Sequence, residues 1–138
     1  MRDGSRATGG LSRRLLLLVV LFAVAGVSHF VVPDAFQRIV PTWVPRPRLM
    51  VYISGAAEFA GAMGLLIPSL RRVAGWGLIA LLVSVFPANI NMLQLARDSD
   101  ASAAYQLILW MRLPLQPLLI WLVWKAAITP RPSLLSHD

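Results

Sequence analysis

The chain has 138 residues, of which 57% are apolar, and its mean hydropathy is +0.67. Soluble domains contain only about 45–50% apolar residues, so the composition is that of a membrane protein. The net charge of +7 comes from Arg residues scattered between apolar runs, and this pattern argues against a nucleic-acid binder. The absence of cysteine excludes disulfide exchange and iron–sulfur ligation by this chain.

Four apolar runs are long enough to cross a bilayer, which takes about 20 residues. They cover residues 15–32, 49–67, 73–95 and 104–124. The sequence therefore predicts an all-α integral membrane protein, a four-helix transmembrane bundle over residues 15–125. Residues 1–14 form a basic N-terminal segment, and residues 126–138 are expected to be a flexible tail.

The first apolar run also resembles a secretory signal, with Arg13 and Arg14 before it and an A-x-A-like site at Ala23–Ala25. We expect a retained helix, because the apolar run continues past Ala25 to Val32.

The distribution of basic residues predicts that both termini are cytoplasmic. In that orientation the inner segments hold eight of the Arg and Lys residues and the outer loops hold four. The first outer loop, residues 33–48, contains four prolines, which forbid a long helix. Its apolar residues, Phe36, Ile39 and Trp43 among them, predict that it lies on the outer membrane surface or caps the bundle.

Polar residues inside the runs form the candidate site. From about 1.5 Å of rise per residue, His29, Glu58, Asn89 and Arg112 each lie roughly 5–13 Å from the outer end of their helix. A charge within a bilayer is costly, so Glu58 and Arg112 are predicted to pair with each other. Spacings of seven and four place Tyr105 and Gln116 on the same face of the last helix as Arg112.

The stretch "FPANINM" interrupts the third apolar run. Pro87 cannot donate to the carbonyl of Val83, and Pro114 likewise leaves the Trp110 carbonyl free, so acceptors are predicted near the polar layer. Asn89 and Asn91 point to different sides of the helix, so at most one faces the bundle centre. Residues expected to have structural roles are Pro33, Gly55, Gly61, Pro87 and Pro114.

Four segments together resemble the DoxX-like family of small four-helix bacterial membrane proteins: "GVSHFVVPDAFQRIVPTWVP", "ISGAAEFAGAMGLLIPSLRRVAGWGL", "FPANINM" and "WMRLPLQPLLIWLVW". The residues that carry the resemblance are His29, Pro33, Pro41, Gly55, Glu58, Pro87, Asn89, Arg112, Leu113 and Pro114. The resemblance implies a multi-pass protein of the bacterial cytoplasmic membrane. It also implies an association with redox complexes, because the family takes its name from a quinone-linked thiosulfate-oxidising system.

Two classes of function follow. In the favoured one, the chain is a non-catalytic membrane subunit or assembly partner of a redox-linked complex, and the polar layer fixes helix register. In the alternative, the layer binds a quinone or another small molecule. A transport function is a weaker alternative, since the sequence contains no internal repeat that would support it.

No catalytic or cofactor motif is evident, so the chain is at most a membrane subunit of a quinone-linked oxidoreductase. A quinone is the cofactor left open. No metal site is predicted, because one His and one Glu are too few side-chain ligands to hold a metal ion. The expected partners are the lipid bilayer, with a redox protein or a second copy of the chain left open, and no nucleic acid.

Overall fold

The computed structural model describes residues 12–129, and this part of the chain is all-α. It contains five α-helices, α1 (Arg13–Val31), α2 (Pro33–Ile39), α3 (Pro47–Leu66), α4 (Arg71–Asp98) and α5 (Ala103–Val123), followed by a π-helical segment (Trp124–Ile128). Four helices are long and apolar enough to cross a membrane, namely α1, α3, α4 and α5 together with the π-helical segment. The predicted fold class is confirmed to this extent.

The helix bounds differ from the predicted ones at several ends. Each long helix begins one or two residues earlier than its apolar run. The helix α4 also continues past the end of its apolar run, through the three residues 96–98, to Asp98. The loop predicted at 33–48 contains a short helix, α2. The π-helical segment reaches three residues into the predicted tail. Residues 1–11 and 130–138, which hold most of the predicted N-terminal segment and tail, lie outside the described residues.

Local chemistry explains where the helices begin. The hydroxyls of Ser12 and Ser102 accept from the backbone N–H three residues later, and each bond caps a helix that has no acidic residue in its first turn. Pro33 and Pro47 occupy the first turn of α2 and α3, where a missing N–H costs nothing. Val32 precedes Pro33 and is not helical, so the chain turns between α1 and α2.

The long helices pack in chain order, α1 on α3, α3 on α4 and α4 on α5. The main hydrophobic core lies at the end where α1 begins and α5 ends; it contains Leu15, Leu18, Val19, Phe22, Ala62, Leu65, Leu78, Leu82 and Val123. At that end the π-helical segment packs on both α1 and α4. Along the rest of their length α1 and α5 share no extended packing, so the opposite half of the bundle is less tightly filled.

Candidate functional site

A cavity of about 510 Å³ lies in the less tightly filled half of the bundle, next to α2. Side chains from all five helices line it, and most of them are apolar. Its polar lining consists of Ser28, His29, Ser54, Glu58, Ser84, Asn89, Arg112 and Gln116. The structure therefore brings together five of the six residues in the predicted polar layer.

Tyr105 is the sixth residue of that layer, and it lies outside the cavity. This residue is 41% exposed and lies in the first turn of α5. Seven residues of helix put it about 10 Å along the axis from Arg112, beyond the end of the cavity. Sharing a helix face with Arg112 was therefore not enough to bring Tyr105 into the site.

His29 and Glu58 form the contact at the centre of the polar lining. His29 Nδ1 lies 3.4 Å from Glu58 Oε2, and both side chains are largely buried, at 13% and 14% exposure. The same Nδ1 lies 2.8 Å from the carbonyl oxygen of Ala25. Because a carbonyl oxygen only accepts, Nδ1 carries a hydrogen, and in the neutral ring Nε2 is then an acceptor.

Two glycines allow α1 and α3 to approach closely enough for this contact. A Cβ at Gly26 would lie 2.8 Å from the Gly55 carbonyl oxygen, and a Cβ at Gly55 would lie 2.5 Å from Cβ of His29. Both glycines are buried, and each is three residues from a member of the pair. The closeness of the two backbones thus determines that His29 and Glu58 meet. Gly55 was predicted to be structural, but its partner Gly26 was not singled out.

The predicted pair between Glu58 and Arg112 is wrong. Within residues 12–129, the acidic side chains in contact with a basic side chain are Glu58, which lies against His29, and Asp34, which lies against Arg48. Arg112 instead donates through Nη1 to Sδ of Met92, at 3.8 Å, and it is an exposed residue. The physical reason is packing: α5 packs on α4 and has no extended packing with α3, whereas α1 lies directly against α3 and brings His29 to Glu58.

A second polar contact joins α4 to α5. Asn89 Nδ2 donates to Gln116 Oε1 at 2.6 Å, and Gln116 Nε2 donates to the carbonyl oxygen of Leu82. Gln116 is 4% exposed, the one buried polar side chain among residues 12–129. The predicted free acceptor near Pro87 was the carbonyl of Val83, whereas the carbonyl that Gln116 contacts is that of Leu82.

The short helix α2 closes one side of the cavity. The ring of Phe36 stacks on His29 with centroids 3.9 Å apart, and Asn91 Nδ2 donates to the carbonyl oxygen of Ile39 at 2.9 Å. Asn89 and Asn91 thus form their hydrogen bonds on different sides of α4, as their spacing predicts. The stacking of Phe36 on His29 had no signal in the sequence beyond the apolar side of the loop.

Several polar groups of the cavity lining already have partners. The hydroxyls of Ser28 and Ser84 donate to carbonyls of their own helices, and Asn89 and Gln116 bond to each other. Glu58 Oε2 is shielded from solvent and has no hydrogen bond within residues 12–129. The groups left to meet a bound molecule are the Glu58 carboxylate, Nε2 of His29, the Ser54 hydroxyl and the Arg112 guanidinium.

The described residues contain no group of three or more His, Cys, Asp or Glu side chains that could hold a metal ion. The lining instead combines an apolar wall with one carboxylate, one imidazole and one guanidinium. This arrangement can hold a molecule with an apolar body and a small polar end by hydrogen bonds.

The family described as Domain of unknown function (DUF8561) matches residues 18–127, and the chain belongs to that family. The match covers α1 from residue 18 onward, the other four helices and every residue of the cavity lining. No curated protein and no solved structure matches the chain.

Proposed function

We propose that this member of the DUF8561 family is an integral membrane protein that binds a small amphiphilic molecule in the cavity between its helices, with a quinone headgroup, in its oxidised or its reduced form, as the leading candidate. One observation carries the proposal: a cavity of about 510 Å³ with an apolar wall and a few convergent polar groups. Small-molecule sites are commonly clefts of about 300–1,000 Å³ built in this way.

The outer faces of the helices support insertion into a membrane. Leu17, Val73 and Ile108 are 69%, 72% and 63% exposed, and they belong to long apolar faces on three different helices. Exposure of such apolar faces to water is unfavourable, and contact with the lipid chains of a membrane removes that cost. The positive-inside rule supports cytoplasmic termini, and the resemblance to the DoxX-like family supports a bacterial cytoplasmic membrane.

The geometry suggests how a quinone would sit. The Arg112 guanidinium is a donor suited to a quinone carbonyl, and the apolar wall suits an isoprenoid chain. Because α1 and α5 share no extended packing beside the cavity, a molecule dissolved in the bilayer would enter between them. His29 is a poor donor to such a molecule, because its Nδ1 hydrogen is bonded to the Ala25 carbonyl.

The test is recovery of a lipid-soluble molecule with the protein. The chain is purified from bacterial membranes in mild detergent, and its organic extract is analysed by mass spectrometry against a mock purification. We expect a quinone or its quinol near one equivalent, lost when Ala88→Trp fills the cavity and kept in Tyr105→Phe, which alters an exposed residue outside it. Extracts that contain no enriched molecule, or the same molecule in Ala88→Trp, would overturn the proposal.

The favoured prediction from the sequence, a non-catalytic subunit or assembly partner of a redox-linked complex, is kept as a second candidate. The observation that favours it is the Asn89–Gln116–Leu82 contact, which joins two helices and acts as a register lock without any ligand. Co-purification of a redox protein that persists in Ala88→Trp would support this candidate.

A further inference from the structure

The unpartnered groups of the cavity indicate which kind of polar end the bound molecule has. We propose that the cavity selects an uncharged amphiphile whose polar end carries a hydroxyl group, such as a phenol or a quinol, over the same molecule with that hydroxyl capped or oxidised. This inference rests on the proposed function and specifies its ligand.

The first step concerns hydrogen-bond donors. Glu58 and His29 both line the cavity, yet neither the Glu58 carboxylate nor Nε2 of His29 has a donor among residues 12–129. An ionised carboxylate only accepts, and Nε2 also accepts because Nδ1 holds the ring hydrogen against Ala25. Two adjacent acceptors without donors call for a ligand that donates.

The second step concerns charge. In its ionised form, which this proposal assigns to the bound state, Glu58 contributes one negative charge to the lining; Arg112 contributes one positive charge, and the His29 tautomer described above adds none. A cationic ligand would satisfy Glu58 but meet the guanidinium in the same low-dielectric cavity, and an anionic ligand would meet the carboxylate. The lining is thus matched to an uncharged molecule.

The third step concerns the two ends of a hydroxyl. Its hydrogen can be donated to Glu58 or His29, while its oxygen, or a second oxygen on the same ring, can accept from Arg112. A fully oxidised quinone has acceptors only, so it would satisfy Arg112 and leave Glu58 without a donor. Leaving a buried acceptor unpaired is the costlier outcome.

The experiment compares two radiolabelled probes, an octyl-substituted phenol and its methyl ether, which differ in the hydroxyl hydrogen. Equilibrium binding is measured with the full chain in nanodiscs, and empty nanodiscs give the background. Affinities are expressed per mole fraction of probe in the lipid, so that different partitioning of the two probes does not enter. We expect the phenol to bind about 10-fold or more tightly than the ether, as for a buried acceptor that gains its donor.

Two variants make the result specific. Glu58→Gln, whose amide keeps the size of the side chain, should reduce the preference for the phenol to about 3-fold or less, because the charge that strengthens the hydrogen bond is gone. Tyr105→Phe should leave the preference unchanged. Equal binding of the two probes to the wild-type chain, or a full preference in Glu58→Gln, would overturn the inference.

Failure of the inference is distinguishable from failure of the proposed function. If both probes bind equally and Ala88→Trp abolishes their binding, the cavity is a ligand site but does not select a hydroxyl. If neither probe binds saturably above the empty nanodiscs, the proposed function fails as well.

Discussion

At the scale of single residues, the most informative contact is the one that the sequence assigned to the wrong partner. Glu58 and Arg112 are the two charged residues deepest in the apolar runs, and the cost of an unpaired charge in a bilayer led to the prediction that they pair. The structure pairs Glu58 with His29 instead, and it leaves Arg112 at the edge of the same cavity. The cost of burying a charge predicts that the charged side chain has a partner, but it does not predict which helix supplies that partner.

The energetic consequence is a prediction about coupling. A double-mutant cycle of Glu58→Gln with His29→Phe, which retains an aromatic ring against Phe36, should give a coupling free energy of about 0.5–1 kcal/mol. The cycle of Glu58→Gln with Arg112→Met should give a smaller coupling free energy than the first cycle, since those side chains share the cavity without forming an ion pair. Unfolding by a denaturing detergent measures both cycles. A larger coupling free energy in the second cycle than in the first would contradict the observed pair.

Gln116 carries a second prediction at this scale. Gln116→Leu removes two hydrogen bonds and leaves Asn89 and the Leu82 carbonyl without their partners, so the free energy of unfolding should fall by about 1–3 kcal/mol. Asn89→Leu should cost less, because the bond from Gln116 to Leu82 survives. Tyr105→Phe is the matched control and should be neutral. A neutral Gln116→Leu variant would show that the contact does not hold α4 on α5.

At the scale of helices, the crossing of α1 and α3 depends on two residues without side chains. Gly26 and Gly55 face each other so closely that a Cβ on either would meet backbone or the root of a side chain. Neither backbone atoms nor Cβ of His29 can move away as the tip of a flexible side chain would. The contact between His29 and Glu58 therefore rests on the backbone crossing beneath it.

Alanine substitutions can distinguish a glycine that is required for the close α1–α3 crossing from a glycine that is not. Gly55→Ala should lower the free energy of unfolding by about 1–3 kcal/mol, the usual cost of overpacking, and should reduce the coupling between His29 and Glu58. Gly77→Ala is the control: a Cβ there meets nothing within 4 Å, so it should be neutral or stabilise by up to about 1 kcal/mol. Similar effects of the two substitutions in the same detergent titration would contradict the close crossing.

The short helix α2 shows how an element with little structure of its own is positioned. It has seven residues and none of them is buried. It is held by contacts at its two sides, the Phe36 ring on His29 and the Ile39 carbonyl on Asn91. Proline at its start explains why α1 stops, and these contacts explain why the following chain folds over the cavity.

At the scale of the whole molecule, the proposed orientation in the membrane gives a further prediction. A reporter that is active only outside the cytoplasm should be inactive when fused after Asp138 and active when inserted between residues 41 and 46, in the connection between α2 and α3. The expectation follows from the eight basic residues on one side against four on the other. The reverse pattern would place the cavity in the cytoplasmic half of the bilayer.

The core also bears on whether the first apolar run is a signal segment. Leu15, Leu18 and Phe22 are buried against residues of α3, α4 and α5. Removal of the chain up to Ala25 would take these side chains out of the main core, so the fold described here requires α1. Retention of α1 in cells stays a prediction, which intact mass of the purified protein tests.

The sequence alone determined the all-α class and the four long apolar helices, because the length of an apolar run and its breaks at proline and polar residues are local properties. It also determined that polar groups cluster toward one end, because depth along a helix follows from residue number. The choice of His29 over Arg112 as the neighbour of Glu58, the exclusion of Tyr105 and the position of α2 were decided by tertiary structure. Each depends on which helices touch and how closely, and the α1–α3 approach comes from Gly26 and Gly55, which add nothing to hydropathy or periodicity.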